Sequence, residues 1–139
     1  MNGFRVTQID HIELFVPDRY EAAAWYARTL GLEIVPEYEH WAAAAESPLM
    51  IATRLAQTKL ALFAGEPRGA RPTAGFHRVA FRVDRQGFDA FRAHVHDNPV
   101  FNERGEEVRE LAVSDHGQAL SVYFCDPYGH RLEVTTYDV

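Results

Sequence analysis

Two stretches decide the fold: QIDHIELFVPD at residues 8–18 and AGFHRVAFRVD at residues 74–84. Each carries one His, alternates apolar with other side chains and closes on Asp. An offset of 66 (77 − 11) relates His11 to His77, and the same offset relates Phe15 to Phe81, Asp18 to Asp84 and Trp25 to Phe91. Short apolar alternation is the pattern of a half-buried strand. Asp is a favoured helix N-cap, because its carboxylate takes orphan backbone N–H groups. Both copies therefore read strand–Asp–helix, the mark of an internal duplication.

Outward from these strands, Asp18 with Glu21 resembles a capping box. Ala22, Trp25, Tyr26 and Leu30 mark a helical stripe, and Gly31 is a stop. The second helix starts near Asp84, presents Phe88, Phe91 and Val95 on one face, and ends before Asn98-Pro99. Extended segments are expected at 32–40, 48–56 and 58–65 in the first half, and at 107–114, 119–125 and 131–137 in the second. The four alanines at 42–45 suit a helix or a loop equally. Residues 65–75, GEPRGARPTAG, are rich in Gly, Pro and Arg and read as the joint between halves. The organisation is one α+β domain over 1–139: a βαβββ module at about 6–65, the joint, and a second βαβββ module at about 75–137.

Composition bounds the function classes. The chain has 139 residues, 47% hydrophobic and 24% charged, which is ordinary globular composition. Its formal net charge is -6, and the 14 basic residues (13 Arg and Lys59) cluster nowhere, so no nucleic-acid surface is expected. No apolar run approaches the ~18–20 residues of a membrane span. The N-terminal MNGFRVTQID has no apolar core, so no signal peptide is expected. Cys125 is the single Cys; it excludes an intrachain disulfide, fits a reducing cytoplasm and reads as a small buried hydrophobe.

Seven His stand at 11, 40, 77, 94, 96, 116 and 130. His11 and His77 differ from the rest, since duplication places them at equivalent strands that pseudo-symmetry would bring together. A carboxylate from a further strand would complete a site, and Glu133 in GHRLEVTTY is the candidate. Pattern alone leaves two readings of Glu133: a carboxylate facing the sheet interior, costly unless paired or ligated, or one on the solvent face of an edge strand. Glu13 shares the strand face of His11, either to orient its imidazole or as a surface residue. His94 and His96 read as exposed helix positions, and His130 as a structural residue facing away from Glu133.

The paired strand–helix–three-strand modules, with His11, His77 and Glu133 in these elements, resemble the vicinal oxygen chelate superfamily, which includes glyoxalases, fosfomycin-resistance enzymes, extradiol dioxygenases and bleomycin-binding proteins. The resemblance covers residues 6–137. It implies a curled eight-stranded sheet forming a cup around a divalent metal held by His11, His77 and Glu133. Residues 115–133, DHGQALSVYFCDPYGHRLE, are similar to the extradiol ring-cleavage signature at His116, Val122, Tyr123, Asp126, Pro127, Gly129 and Glu133; Ser114 departs from it. The DPxGxxxE part recurs across the superfamily as a turn before the last strand, whereas the His116–Tyr123–Glu133 combination is more specific.

What the resemblance implies is an extradiol dioxygenase-like metalloenzyme. Two imidazoles and one carboxylate leave three positions open on a divalent metal, two for vicinal oxygens and one for dioxygen. Fe(II) is favoured, with Mn(II) or Zn(II) as alternatives. His116 and Tyr123 would hydrogen-bond the bound oxygens. No His lies in 41–76 to supply the acid–base group of the larger dioxygenases, and His40 could serve only if its strand bends inward. Three rivals stay open. A fosfomycin-type thiol transferase shares the ligand set and needs a cation in the cup. A glyoxalase-type isomerase needs a fourth ligand that TKLALFAG (58–65) lacks. A drug-binding protein needs no chemistry. The substrate is a small molecule, with an aromatic body suggested by Phe15, Phe81 and Tyr123 as cup-lining residues. Open sheet edges imply a homodimer.

Overall fold

The computed structural model describes residues 3–67, 69 and 71–139. Of the joint expected at 65–75, Arg68 and Ala70 lie outside the described residues, as do Met1 and Asn2 of the N-terminal stretch. The chain divides into two compact units, 1–68 and 69–139. The class is α+β: among the described residues, ten strands form sheets of four and six, with two α-helices and one 3-10 helix.

The first unit runs β1 (His11–Val16), α1 (Arg19–Leu30), β2 (Glu33–Ile34), a 3-10 helix (Pro36–Ala43), β3 (Leu49–Ala52) and β4 (Lys59–Ala64), with sheet order β1-β4-β3-β2. Parallel neighbours need a long crossover, and β1 pairs parallel with β4 through everything between them. Asp18 caps α1, accepting from the backbone N–H of Tyr20 and Glu21 at 3.0 Å. Gly31 ends it in the left-handed region at φ 73, so that its own N–H reaches Ala27 O and that of Leu32 reaches Tyr26 O.

The helix covers one face of the sheet, where Leu14, Val16, Leu49, Ile51, Leu60 and Leu62 are buried. Each such aliphatic side chain contributes ~1.5–3 kcal/mol. β3 is buried at every position because its other face is covered too: Met50 and Ala52 pack with Val35 and Ala61 beneath Tyr38 and Phe63. That cover is the 3-10 helix, which replaces most of the strand expected at 32–40. Pro36 fits its first turn by its fixed φ. The Arg19 guanidinium donates to the carbonyls of Ala42, Ala44 and Ser47, which holds the alanine run as a tethered turn instead of a longer helix.

The second unit runs β5 (Val79–Arg82), α2 (Arg85–Asp97), β6 (Val100–Phe101), β7 (Glu107–Val108), β8 (Ser114–Asp115), β9 (Leu120–Cys125) and β10 (Arg131–Thr136). Its order is β5-β10-β9-β6-β7, with β8 on β9. The plan repeats that of the first unit: β5 pairs parallel with β10 as β1 does with β4, and β10 antiparallel with β9. Asp84 caps α2 by accepting from Gly87 N at 2.7 Å. Phe88, Phe91 and Val95 are buried, and Phe91 meets Phe124 at 5.3 Å between ring centres. The segment expected as one strand at 107–114 splits into β7 and β8. An Asn102–Gly105 turn, in which Asn102 Oδ1 accepts from Arg104 N and Glu106 N, adds the β6–β7 hairpin.

No described helix is long and apolar enough to cross a membrane.

Candidate functional site

The face of each sheet turned away from its helix carries the polar residues of interest. In the second unit, Glu133 lies on β10, an interior strand between β5 and β9, so the edge-strand reading of it does not hold. Its antiparallel partner is Tyr123 and its parallel partner is Ala80, so all three share one face. Glu133 is half-buried and accepts from the buried Ser121 Oγ at 2.8 Å; that hydroxyl also lies 3.0 Å from Thr135 Oγ1. The Tyr123 hydroxyl is 2.8 Å from His116 Nε2. His116 is exposed and set by the tight β8–β9 turn, where its N–H reaches Ala119 O and Asp115 accepts from Gly117 N. The expected His116–Tyr123–Glu133 grouping is therefore physically assembled within one unit.

The DPYG turn explains itself. Asp126 is buried; its Oδ1 accepts from Tyr128 N and His130 N at 2.9 Å, and its Oδ2 holds His130 Nδ1 at 2.6 Å. Gly129 takes φ 98, where a Cβ would be strained. Asp126 and His130 thus build the turn that sets Tyr123 opposite Glu133.

His77 stands elsewhere. It lies exposed in a bend before β5. Along β5, Val79 pairs with the buried Leu132 and Phe81 with the buried Val134, so these face α2. Ala80, and Arg78 two residues before it, face the side of Glu133. The Arg78 guanidinium sits 4.6 Å above the Tyr123 ring, which confirms that side. In the first unit the phase is opposite: Leu14 and Val16 face the helix, leaving His11, Glu13 and Phe15 on the open side. The reason is Pro17, an extra residue between Val16 and the Asp18 cap, whereas Val83 adjoins Asp84 directly. The repeat offset is 66 at the caps but 67 in the strands, and the positional counterpart of His11 is Arg78. Phe81, expected to line the cup with Phe15, lies on the helix side; Phe15 lies on the open side, 5.7 Å from Phe63.

His11 begins β1 beside Lys59. Its Nδ1 is 2.8 Å from Asp10 Oδ2 and its Nε2 3.2 Å from Glu13 Oε2, while Lys59 Nζ donates to Asp10 at 3.0 Å. The Asp10 carboxylate raises the His11 imidazole above its ordinary value; partial burial opposes this, and Glu13 adds to it. Asp10 is held low by His11 first and Lys59 second. Glu13 thus touches the imidazole as an orienting carboxylate would. The group rims a cleft of about 190 Å³ walled by Tyr38, Trp41, Met50 and Phe63, with Tyr38 and Trp41 stacked at 4.7 Å. His40 sits on the 3-10 helix, exposed, and His94 and His96 are exposed on α2.

On the open face of the second unit the residues present do not by themselves make up a divalent-metal set. Both nitrogens of His11 lie at hydrogen-bond distance from carboxylates, Asp10 and Glu13. Where the second unit would need another neutral imidazole beside Glu133, it presents the permanent cation of Arg78. Within either unit, no three His, Cys, Asp or Glu side chains among the described residues gather as a metal group.

The second unit also carries a half-open cavity of about 170 Å³ bordered by Arg78, Phe101, Glu103, Tyr123, Cys125 and Arg131. Glu103 accepts from Arg131 at 2.8 Å and is thereby held below the usual carboxylate range. Burial pushes the Cys125 thiol up.

The sequence profile of the Glyoxalase/Bleomycin resistance protein/Dioxygenase superfamily matches residues 8–134. Among solved structures, a putative glyoxalase family protein from Bacillus anthracis superposes with TM-score 0.68 at 19% identity, covering 98% of each chain. The oxidase ChaP-H2 gives 0.66 at 21%, covering 95% of this chain and 94% of its own. A glyoxalase/dioxygenase from Nostoc punctiforme gives 0.62 at 22%, covering 98% and 97%. At these identities the likeness shows the fold. No curated protein sequence matches the chain.

Proposed function

Because the chain belongs to the Glyoxalase/Bleomycin resistance protein/Dioxygenase superfamily, whose members commonly use divalent metals, we propose that it binds a small oxygen-bearing molecule on the open face of β9 and β10 without a resident metal, and that Tyr123 and His116 handle protons on it. The observation that carries this reading is the phase of β5, which puts Arg78 and not His77 beside Tyr123 and Glu133. Ring cleavage by the extradiol route, and the metal set His11, His77 and Glu133, both need a neutral imidazole at that place. The placement of Arg78 supplies the kind of cation that a fosfomycin-type relative would require, and a binding-only relative needs no metal ligands.

On this face each group has a definite task. Ser121 fixes the Glu133 carboxylate by donating to it. Tyr123 and His116, at hydrogen-bond distance, pass a proton between a ligand oxygen and the imidazole, and the exposure of His116 lets that proton exchange with water. Arg78 lies against the Tyr123 ring and presents charge to the ligand.

Metal uptake tests the proposal. Chelator-treated protein is titrated with Fe(II) under anaerobic conditions, and with Mn(II) and Zn(II), by calorimetry. The expected result is no stoichiometric site that depends on Glu133. One metal per chain, lost in both His77→Ala and Glu133→Ala, overturns it.

A further inference from the structure

The cavity in the second unit has a charge that its own residues leave unbalanced. Two guanidinium groups border it, Arg78 and Arg131, against one carboxylate, Glu103, so the lining is net +1. Glu103 is committed to Arg131. Among the described residues no carboxylate stands within ion-pair distance of Arg78, whose contact is the face of the Tyr123 ring at 4.6 Å. The Arg78 Nε is sealed from solvent and has no hydrogen-bond partner. A buried N–H donor on a cation, left unpaired, is costly. The remainder of the lining is largely apolar: Phe101, Val108, Leu111, Phe124 and Cys125.

Size fixes the second half of the inference. The cavity holds about 170 Å³. An apolar cavity of roughly 150 Å³ accommodates a benzene ring, so the space takes one six-membered ring. A guanidinium fork pairs with a carboxylate through two parallel hydrogen bonds, whereas it gains little from a neutral amide. We propose that this cavity is a binding site for a single-ring aromatic carboxylate, its ring among Phe101, Val108 and Leu111 and its carboxylate on Arg78. The inference rests on the metal-free reading above and adds the ligand class to it.

The full-length protein is titrated with benzoate by calorimetry and by ligand-observed NMR, with benzamide as the neutral match in shape and inorganic phosphate as an anion without a ring. Benzoate is expected to bind, benzamide about ten- to a hundredfold more weakly, and phosphate more weakly than benzoate. Arg78→Gln removes the charge while keeping much of the side chain's length, and it is expected to erase the preference for benzoate over benzamide. Arg78→Lys keeps the charge without the fork and should retain part of that preference. Amide NMR spectra check that each variant is folded. Equal binding of benzoate and benzamide, an unchanged preference in folded Arg78→Gln, or no benzoate binding at millimolar concentration overturns the proposal. These outcomes are separable from failure of the metal-free reading, which shows only as Glu133-dependent metal uptake.

Discussion

Asp126→Ala should unravel the turn that aligns the candidate site. The carboxylate is buried, takes two backbone N–H groups at 2.9 Å and grips His130 Nδ1 at 2.6 Å. Removing it strands the N–H groups of Tyr128 and His130 and the imidazole together. Hydrogen bonds to a charged group are worth ~1.5–3 kcal/mol each, and breaking a buried pair by deleting one member costs ~3–5 kcal/mol. Because the three contacts share one carboxylate and water can reach part of the turn, a loss of about 3–5 kcal/mol is expected. Asp126→Asn keeps an acceptor for both backbone groups and should lose roughly 1–3 kcal/mol. Both Trp residues, Trp25 and Trp41, belong to the first unit, so their fluorescence is the wrong probe. The assay is urea unfolding by far-ultraviolet circular dichroism, with hydrogen exchange at the amides of β9 and β10. A loss under about 1 kcal/mol in Asp126→Ala, with unchanged exchange in those strands, would refute the view that DPYG is first a structural device.

Four further outcomes are expected. His11, with Asp10 as the largest influence, should titrate above 6.5 by NMR and fall toward it in Asp10→Asn. The sign follows: the imidazolium contacts stabilise the fold below the ordinary value, and that contribution is lost as pH rises through the raised one. An unchanged midpoint in Asp10→Asn counts against this. Arg19→Met frees three carbonyls and should cost ~1.5–3 kcal/mol, with faster exchange in the 3-10 helix; protection equal to wild type would show the clamp to be idle. Cys125, buried with its thiol pushed up, should react with a thiol reagent far more slowly in the folded than in the unfolded protein, so native-state labelling as fast as in the unfolded chain would contradict its placement. The homodimer expected from open edges should sediment at twice 15.8 kDa, and a monomer at high micromolar concentration would exclude it.

The elements most legible in the sequence are those enforced by local chemistry. Asp18 and Asp84 mark helix starts because a carboxylate there meets orphan N–H groups whatever the surroundings. The DPYG turn is legible for the same reason. Tyr123 and Glu133 are recognisable as a pair, but their common face depends on turn register, which the hairpin supplies only in three dimensions. The 3-10 helix at 36–43 is hidden because nothing local separates it from a strand; Tyr38 earns its place by covering Met50 and Ala52, a tertiary reason.

His77 lies in a bend before β5 and off the face of Glu133, and the signal for that placement is in the sequence. Strand side chains alternate, so a single inserted residue moves a whole strand's worth of side chains to the other face. Aligned on Asp, His11 meets His77. Aligned on the last buried-side Val, five residues separate His11 from Val16 but six separate His77 from Val83, and five-residue spacing from Val83 falls on Arg78. Helix caps tolerate an added residue between strand and helix, as Pro17 shows, whereas a core-facing Val does not tolerate a change of side. The hydrophobic phase, then, is the stricter ruler for strand positions. Read by that ruler, the open face of the second sheet carries a guanidinium where the duplicated His pattern suggested an imidazole. On the proposed reading, the fixed positive charge beside Tyr123 is what an anionic ligand would pair with, so the one-residue shift that turns His77 off this face would also set the sign of what the face holds.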